Sequence, residues 1–402
     1  MKIKNFFDLL VLFTIFTSYI QLGEVDFKII DQYIEELMTQ STAEIPVWNI
    51  EKAKAGKKSG WDYIDGCMIM ALLEIYATTK EEKYLKFADY YEDFRISEDG
   101  TIDGYNKEEW NLDNINGAKN LITLYELTKK KKYRKAAAKI FQQIEDQPRT
   151  TEGNFWHKKI YPNQVWLDGL YMALPYYMEY EVLYDNSENI NDIYKQFFNV
   201  YNIMRDEKTG LYYHGYDSSK QIFWANKQTG LSQNFWLRSL GWYSMALLDT
   251  LNKADDKGSE NWNKLKNIFV QLCDSMLNFQ DKNGMWFQVP NYPDRSPNYH
   301  ETSGSAIYAY SLLKGVRTGI LENEKYREAG KKAFEGICNE YLKTKNGKLS
   351  LGGICLVAGL GPENKPNRDG SFDYYMSEQI VEDDAKGVGP FILAYNEYRL
   401  LE

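Results

Sequence analysis

Residues Phe155 to Pro175 read FWHKKIYPNQVWLDGLYMALP. Trp156, His157, Lys158, Tyr161, Asn163 and Gln164 crowd ahead of a single carboxylate, Asp168, at what the apolar spacing marks as the start of a buried helix. A second group, Trp236, Arg238 and Trp242, follows further along. Aromatic faces stack on the C–H face of a pyranose, an arginine fork pairs at two points with a carboxylate, and an aspartic acid between them can hand over a proton. The chemistry these residues suit is general-acid work on an acidic sugar.

Each residue also has a structural reading. Carboxylates near helix N-termini, like Asp168, cap free N–H groups or offset the helix dipole. Asp113, in WNLDNINGAKN, stands at an earlier helix start with the same two readings. Two carboxylates delivered to one rim would repel each other, raising one pKa and leaving a protonated acid near neutrality. His214, in GLYYHGYD, either orients a ligand or packs in a hairpin. Trp242 leads into the apolar run MALLDTL and suits a core position as well as a sugar platform. Arg238 is harder to read as structural, because an arginine near a buried helix start needs an anionic partner. Asp113, Glu378 and a substrate carboxylate are the candidates.

Composition narrows the classes. The 402-residue chain has a net charge of −9, which argues against nucleic acid or an anionic membrane surface as the main partner. An acidic ligand must then be met by local Arg or Lys. Aromatics make up 15% of the residues, more than a helical core requires, so the surplus has to line something. Cys67, Cys273, Cys338 and Cys355 form no CxxC pair and the three histidines show no ligand spacing, so no disulfide framework, metal or cofactor is expected. Lys2 and Lys4 precede an apolar run from Leu9 to Phe16 in the layout of a secretory signal, interrupted by Asp8 and without a clean small-x-small cleavage site after Ser18. Residues 1–24 are therefore read as an export signal, with an amphipathic extension on a cytoplasmic enzyme as the alternative. Nothing else approaches the roughly 18 apolar residues a membrane span needs, and oligomeric state leaves no mark on the sequence.

The elements that must position these groups are helices. Apolar residues three and four apart predict them near 25–40, 61–79, 82–95, 111–128, 131–146, 164–183, 190–204, 234–252, 260–280, 301–316, 324–342 and 386–401. Short stretches centred on Gly100, Gly153, Gly210, Gly284 and Gly347 lie between many of them and read as hairpin turns. Three helices open alike, KYLKFADYYEDF, KYRKAAAKIFQQI and KYREAGKKAFEGI, at Tyr84, Tyr133 and Tyr326. A helix, turn and helix unit thus recurs about six times. Six helix pairs close into an all-α (α/α)6 toroid, one domain over residues 25–402, with Lys/Glu-rich helices outside and inner helices opening at one rim. An open helical solenoid is the architectural rival.

The run Phe155-Trp156-His157-Lys158, with Tyr161-Pro162-x-Gln164-x-Trp166-Leu167-Asp168-Gly169-Leu170-Tyr171-Met172, resembles the signature of the unsaturated rhamnogalacturonyl hydrolases, family 105 of the glycoside hydrolases. Matching pieces are Trp224-Ala225-Asn226, Phe235-Trp236-x-Arg238-Ser239-x-Gly241-Trp242-Tyr243, Glu301-x-Ser303-Gly304-Ser305 and Phe372-Asp373-Tyr374-Tyr375. The resemblance runs from about Val25 to the end of the chain and implies the same toroid. It also implies an acidic oligosaccharide substrate carrying a 4,5-unsaturated uronic acid, protonated at C4 by Asp168 before water adds at C5. Asp113 matches the family's second carboxylate; His214, Trp236, Arg238 and Trp242 match pocket positions, and His157 and Tyr63 match less closely. The loop from Gly359 to Tyr375 lies where the leaving sugar would be shaped, and the motifs do not choose between rhamnogalacturonan and other unsaturated uronides. An isomerase using His157, His214 and His300, and a saccharide receptor that keeps the aromatics without needing Asp168, are the rivals from other classes.

Overall fold

The computed structural model describes residues 25–345 and 347–401, so the export segment expected at 1–24 lies outside the described residues. Among the described residues fourteen helices follow in order: α1 (Phe27–Thr39), α2 (Ile50–Lys54), α3 (Tyr63–Thr79), α4 (Glu82–Asp93), α5 (Ala118–Thr128), α6 (Lys131–Asp146), α7 (Leu167–Tyr184), α8 (Ile190–Met204), α9 (Leu237–Lys253), α10 (Glu260–Leu277), α11 (Thr302–Arg317), α12 (Glu324–Tyr341), α13 (Phe372–Ser377) and α14 (Ala385–Leu401). The twelve expected helices are all present, and α2 and α13 are short additions. Both are too brief to show a helical period.

Helices α3, α5, α7, α9, α11 and α14 pack in that order, and α14 closes the ring against α3. The chain is thus the closed (α/α)6 toroid and not a solenoid. Inner helices are apolar on every side: α7 is buried at every position from Leu167 to Glu181. Outer helices are amphipathic, as their position requires. In α6, Tyr133, Ala136, Ala137, Ile140 and Ile144 are buried while most of its lysines face outward. The outer helices α4, α6, α8, α10 and α12 each back the inner helix before them. The sixth pair joins the two ends of the chain, because Phe27 of α1 packs on Tyr395 and Tyr398 of α14 with ring centroids 5.8 and 6.2 Å away.

The recurring Lys-Tyr start is explained by this outer layer. Tyr133 of α6 donates to Asp89 of α4 at 2.6 Å, and Tyr326 of α12 donates to Asp274 of α10 at 2.7 Å. Each tyrosine buries its ring and laces its helix to the outer helix before it.

Three two-stranded antiparallel pairs sit in the connections. β1 (Gln164–Trp166) pairs with β2 (Gly215–Asp217), β3 (Leu342–Lys345) with β4 (Lys348–Leu351), and β5 (Ile354–Cys355) with β6 (Ile380–Val381). The five glycine turns expected from the sequence all have positive φ, from +73° to +103°. At Gly284, with φ of +91°, a Cβ would also stand 2.2 Å from the carbonyl oxygen of Lys332. Gly284→Ala should therefore lower stability by about 2 kcal/mol or more, from left-handed strain and a backbone clash together. Equal urea midpoints for the two proteins would show that the turn relaxes without cost.

Candidate active site

Strand β1 runs directly into α7, which puts Asp168 in the first turn at the rim of the ring. Its carboxylate caps nothing, and the Ncap position is Trp166. Instead Oδ2 lies 3.3 Å from Nε2 of His214 and, among the described residues, makes no hydrogen bond. The β1–β2 register brings the two together: Trp166 faces Gly215, and Leu167 N–H donates to the His214 carbonyl at 3.2 Å.

His214 is fully buried, with its ring 4.9 Å from that of Trp236 and edge-on to Trp166 at 5.6 Å. Its Nδ1 is 2.8 Å from the Tyr375 hydroxyl. Burial holds the Tyr375 phenol protonated far above its ordinary pKa, so it can donate to Nδ1 and leave the ring proton on Nε2, facing Asp168.

Asp113 has a different environment. It stands in a 3-10 turn, Leu112–Ile115, tied to the histidine segment by a hydrogen bond from Leu112 N–H to the His157 carbonyl at 3.0 Å. Lys158 Nζ is 2.5 Å from its Oδ2, and His157 Nε2 is 3.6 Å from its Oδ1. Burial would push the Asp113 carboxyl up, but the charges of Lys158 and His157 together hold it below the ordinary value. Burial also lowers the pKa of His157 to about 4. Near neutrality His157 is therefore uncharged, and the Lys158 ammonium is the charge that keeps Asp113 ionised. The mutual repulsion expected of two rim carboxylates does not raise Asp113, because a lysine intervenes.

Arg238 opens α9, just after Trp236, and is 1% exposed. Nη2 donates to the carbonyl oxygen of Cys355, which β5 carries to this wall. The guanidinium also lies over the Trp236 ring, 5.0 Å from its centroid. Neither Asp113 nor Glu378 pairs with it. The carboxylate whose charge bears on it most is Glu301, itself engaged in capping α11 through Ser303 N–H at 3.0 Å and Gly304 N–H at 2.7 Å. Arg238 Nε and Nη1 have no hydrogen-bond partner among the described residues. Tyr63 lies within reach of the charges on both Arg238 and Asp113, and burial pushes its phenol well up.

Trp236 donates to Gln288 Oε1 at 3.1 Å and stacks near Tyr375, with ring planes 11° apart. Trp242 lies one turn below Arg238 on the same face of α9 and stacks on Tyr171 at 4.9 Å, in the main core cluster. Lys119 Nζ sits 3.6 Å from the centre of that Tyr171 ring. His300 lies apart from this constellation, paired with Asp281 at 2.9 Å and Glu340 at 3.1 Å. Two residues passed over as site members in the sequence prove central, Lys158 and Tyr375. A lysine adjoining His157 in a chain of net charge −9, and the second tyrosine of the Phe372-Asp373-Tyr374-Tyr375 run, were the available signals.

A ring of helix starts bearing two carboxylates, a buried guanidinium and stacked aromatics defines a carbohydrate-active enzyme. The chain matches Glycosyl Hydrolase Family 88 over residues 29–401 and belongs to that family. A glycoside hydrolase from family 105 of C. acetobutylicum ATCC 824 has a structure that superposes with a TM-score of 0.85 at 42% identity, covering 93% of this chain and 99% of that one. Protein Atu3128 of Agrobacterium fabrum is 38% identical over 234 residues, 57% of this chain and 99% of its own. The unsaturated rhamnogalacturonyl hydrolase YesR of Bacillus subtilis is 24% identical over 259 residues, 63% of this chain and 70% of its own. The protein is a glycoside hydrolase.

The charge arrangement has a measurable consequence. Lys158→Met should send the Asp113 titration, followed by carboxyl carbon NMR, upward, because only His157 then opposes burial. An unchanged titration would show that Lys158 is not what holds it. His157 adds a pH dependence: the unfolded chain takes up a proton near pH 6.5 that the folded ring accepts only near 4, so its contribution to stability falls as pH drops between the two. His157→Gln should flatten that part of the stability profile.

Proposed function

We propose that the protein removes a 4,5-unsaturated uronic acid from the non-reducing end of lyase-generated oligosaccharides, pectic rhamnogalacturonan fragments first among them, by adding water across the C4=C5 bond. The observation that carries this reading is the buried Asp168 oxygen, which makes no hydrogen bond among the described residues and faces a histidine nitrogen at 3.3 Å. The family match and the family 105 neighbour support it.

In this reading Asp168 gives its proton to C4, and positive charge develops at C5 and the ring oxygen. Water adds at C5 and returns a proton to the Asp168 carboxylate. The resulting hemiketal opens to a ketone at C5, which leaves C1 as a hemiacetal still holding the leaving sugar, and collapse of that hemiacetal frees it. No displacement at the anomeric carbon occurs, so the rule linking carboxylate separation to retention or inversion does not apply. Asp113, kept ionised by Lys158, has no proton to give near neutrality; its role is to accept a hydrogen bond from a sugar hydroxyl. The uronate carboxylate takes one of the donors that Arg238 leaves without a partner among the described residues, beside Tyr63. Trp236 and Trp242 shape the apolar wall and floor beneath the ring, while His214 holds the proton on the Asp168 side.

Loss of ultraviolet absorbance on mixing with unsaturated rhamnogalacturonan disaccharide tests the reading directly. The parent protein should consume the chromophore, and Asp168→Asn should lower kcat about 10³-fold with KM little changed. If the parent is inert on this disaccharide yet consumes an unsaturated glucuronyl one, the reaction stands and the preferred substrate changes. Inertness toward both would sink the hydration reading and favour a receptor.

A further inference from the structure

A second guanidinium stands outside this constellation. Arg368 belongs to the connection between β5 and α13, GLGPENKPNRDGS from Gly359 to Ser371, and is half-buried. Its positive charge bears on Tyr161, Tyr374 and Glu378. Among the described residues it has no ion pair and no side-chain hydrogen bond. Most other half-buried cations near the rim are engaged, Lys158 by Asp113 for example.

Tyr161 stacks on Trp166 with centroids 4.6 Å apart, Trp166 stacks on His157 at 4.4 Å, and His157 adjoins Asp113. Arg368 therefore stands at the outer end of an aromatic wall whose inner end is the carboxylate site. Gly359 makes the approach possible: the position a Cβ would take there is 3.2 Å from Cζ3 of Trp166 and 3.8 Å from Nη1 of Arg368. A side chain at 359 would fill the gap in which indole and guanidinium meet. On the same loop, a cleft of about 540 Å³ lies between the Ile160–Gln164 segment and Pro362, Glu363 and Asn364; its wall carries the carboxylates Asp217 and Glu363 and no Lys or Arg, so Arg368 supplies a positive charge that the cleft itself lacks.

We infer that Arg368 reads an anionic substituent on the departing part of the substrate, a uronate carboxylate or a sulfate ester on the leaving sugar or the sugar next to it. This rests on the proposed hydration of an unsaturated uronide and extends it outward from the reacting ring. The assignment follows from the balance of charge. A half-buried arginine without a protein acceptor carries a desolvation cost that a bound oxyanion would offset, and its fork matches either group at two points. The loop does not depend on the side chain: Gly361 N–H donates to the Arg368 carbonyl at 2.8 Å, Lys365 N–H to the Pro362 carbonyl at 2.8 Å, and Gly359 N–H to the Tyr374 hydroxyl at 2.9 Å.

Three substrates separate the possibilities: an unsaturated disaccharide with a neutral leaving sugar, an unsaturated rhamnogalacturonan tetrasaccharide in which a carboxylate follows the leaving sugar, and an unsaturated disaccharide with a sulfated leaving sugar. Arg368→Gln should lower kcat/KM roughly tenfold, mainly through KM, on the tetrasaccharide or on the sulfated compound, and leave the neutral disaccharide unchanged. Whichever anionic substrate responds identifies the group that is read. Arg368→Lys should retain part of the preference, and the difference should shrink with added salt. Equal loss on neutral and anionic substrates, or no loss on either anionic one, would overturn the inference. Should the parent turn over none of the three, the hydration reading fails, and calorimetric binding of the same tetrasaccharide and sulfated disaccharide to parent and Arg368→Gln protein still decides the role of Arg368.

Discussion

Closure of the inner ring is the constraint on which everything else depends. An inner helix such as α7 is buried along almost its whole length, so it exists only while α5 and α9 cover its sides and α8 its back. Such a ring has no free edge when α14 meets α3, and the chain's two ends are drawn into one helix pair. Polar groups then have few places to go. Backbone N–H groups left open at helix starts, and the side chains beside them, collect at the rim where α7, α9 and α11 begin. The site is a consequence of that geometry, since a closed ring gathers helix starts at the mouth and blocks the bore beneath them. The stacked pair Tyr171–Trp242, with Lys119 against the Tyr171 ring, is such a block.

Environment, and not identity, separates the two aspartates. Asp113 and Asp168 both stand at helix starts and both are about nine-tenths buried. One meets an ammonium at 2.5 Å and is locked as an anion; the other meets a histidine nitrogen at 3.3 Å and keeps an oxygen without a hydrogen bond among the described residues. The same division answers how an acidic protein can hold an acidic sugar. The net charge of −9 is spread over the surface, whereas the pit contains cations whose carboxylate neighbours are already engaged, as Glu301 is at the start of α11. Local charge at short range outweighs a distant net charge that salt screens.

Much of this was legible in the sequence, for reasons that can be stated. Helices such as α6 and α10 announce themselves by a period of 3.6, and the hairpin glycines by the positive φ their turns require. Asp168 stood out through its company. Arg238 shows where sequence reasoning stops. Its partner is a main-chain carbonyl 117 residues away, and carbonyls carry no residue identity to search for. The neutral state of His157 was equally hidden, since it follows from burial beneath Trp166 and Tyr161, a property of the assembled fold. The sixth helix pair is built from α1 and α14, the two ends of the chain. A repeat count along the chain does not say which end completes the circle.

The division between helix starts and loops also bears on how such a site can change its substrate. Asp168, Asp113 and Arg238 sit in or beside turns locked to the ring by backbone pairing, as at β1–β2 and at the Cys355 carbonyl, so shifting any of them disturbs the core. Arg368 rides on a connection shaped by local hydrogen bonds and anchored on either side of it, through Gly359 and buried Leu360 before it and through the Asp369 and Gly370 carbonyls after it. Its exposed residues, Glu363 to Asn367, and the half-buried Arg368 side chain can be exchanged without moving an inner helix. Chemistry at the unsaturated ring is therefore fixed by the part of the fold that tolerates least change, and discrimination among leaving groups by the part that tolerates most. That separation lets one toroid keep a single reaction while its outer wall is refitted to polysaccharide fragments of different charge.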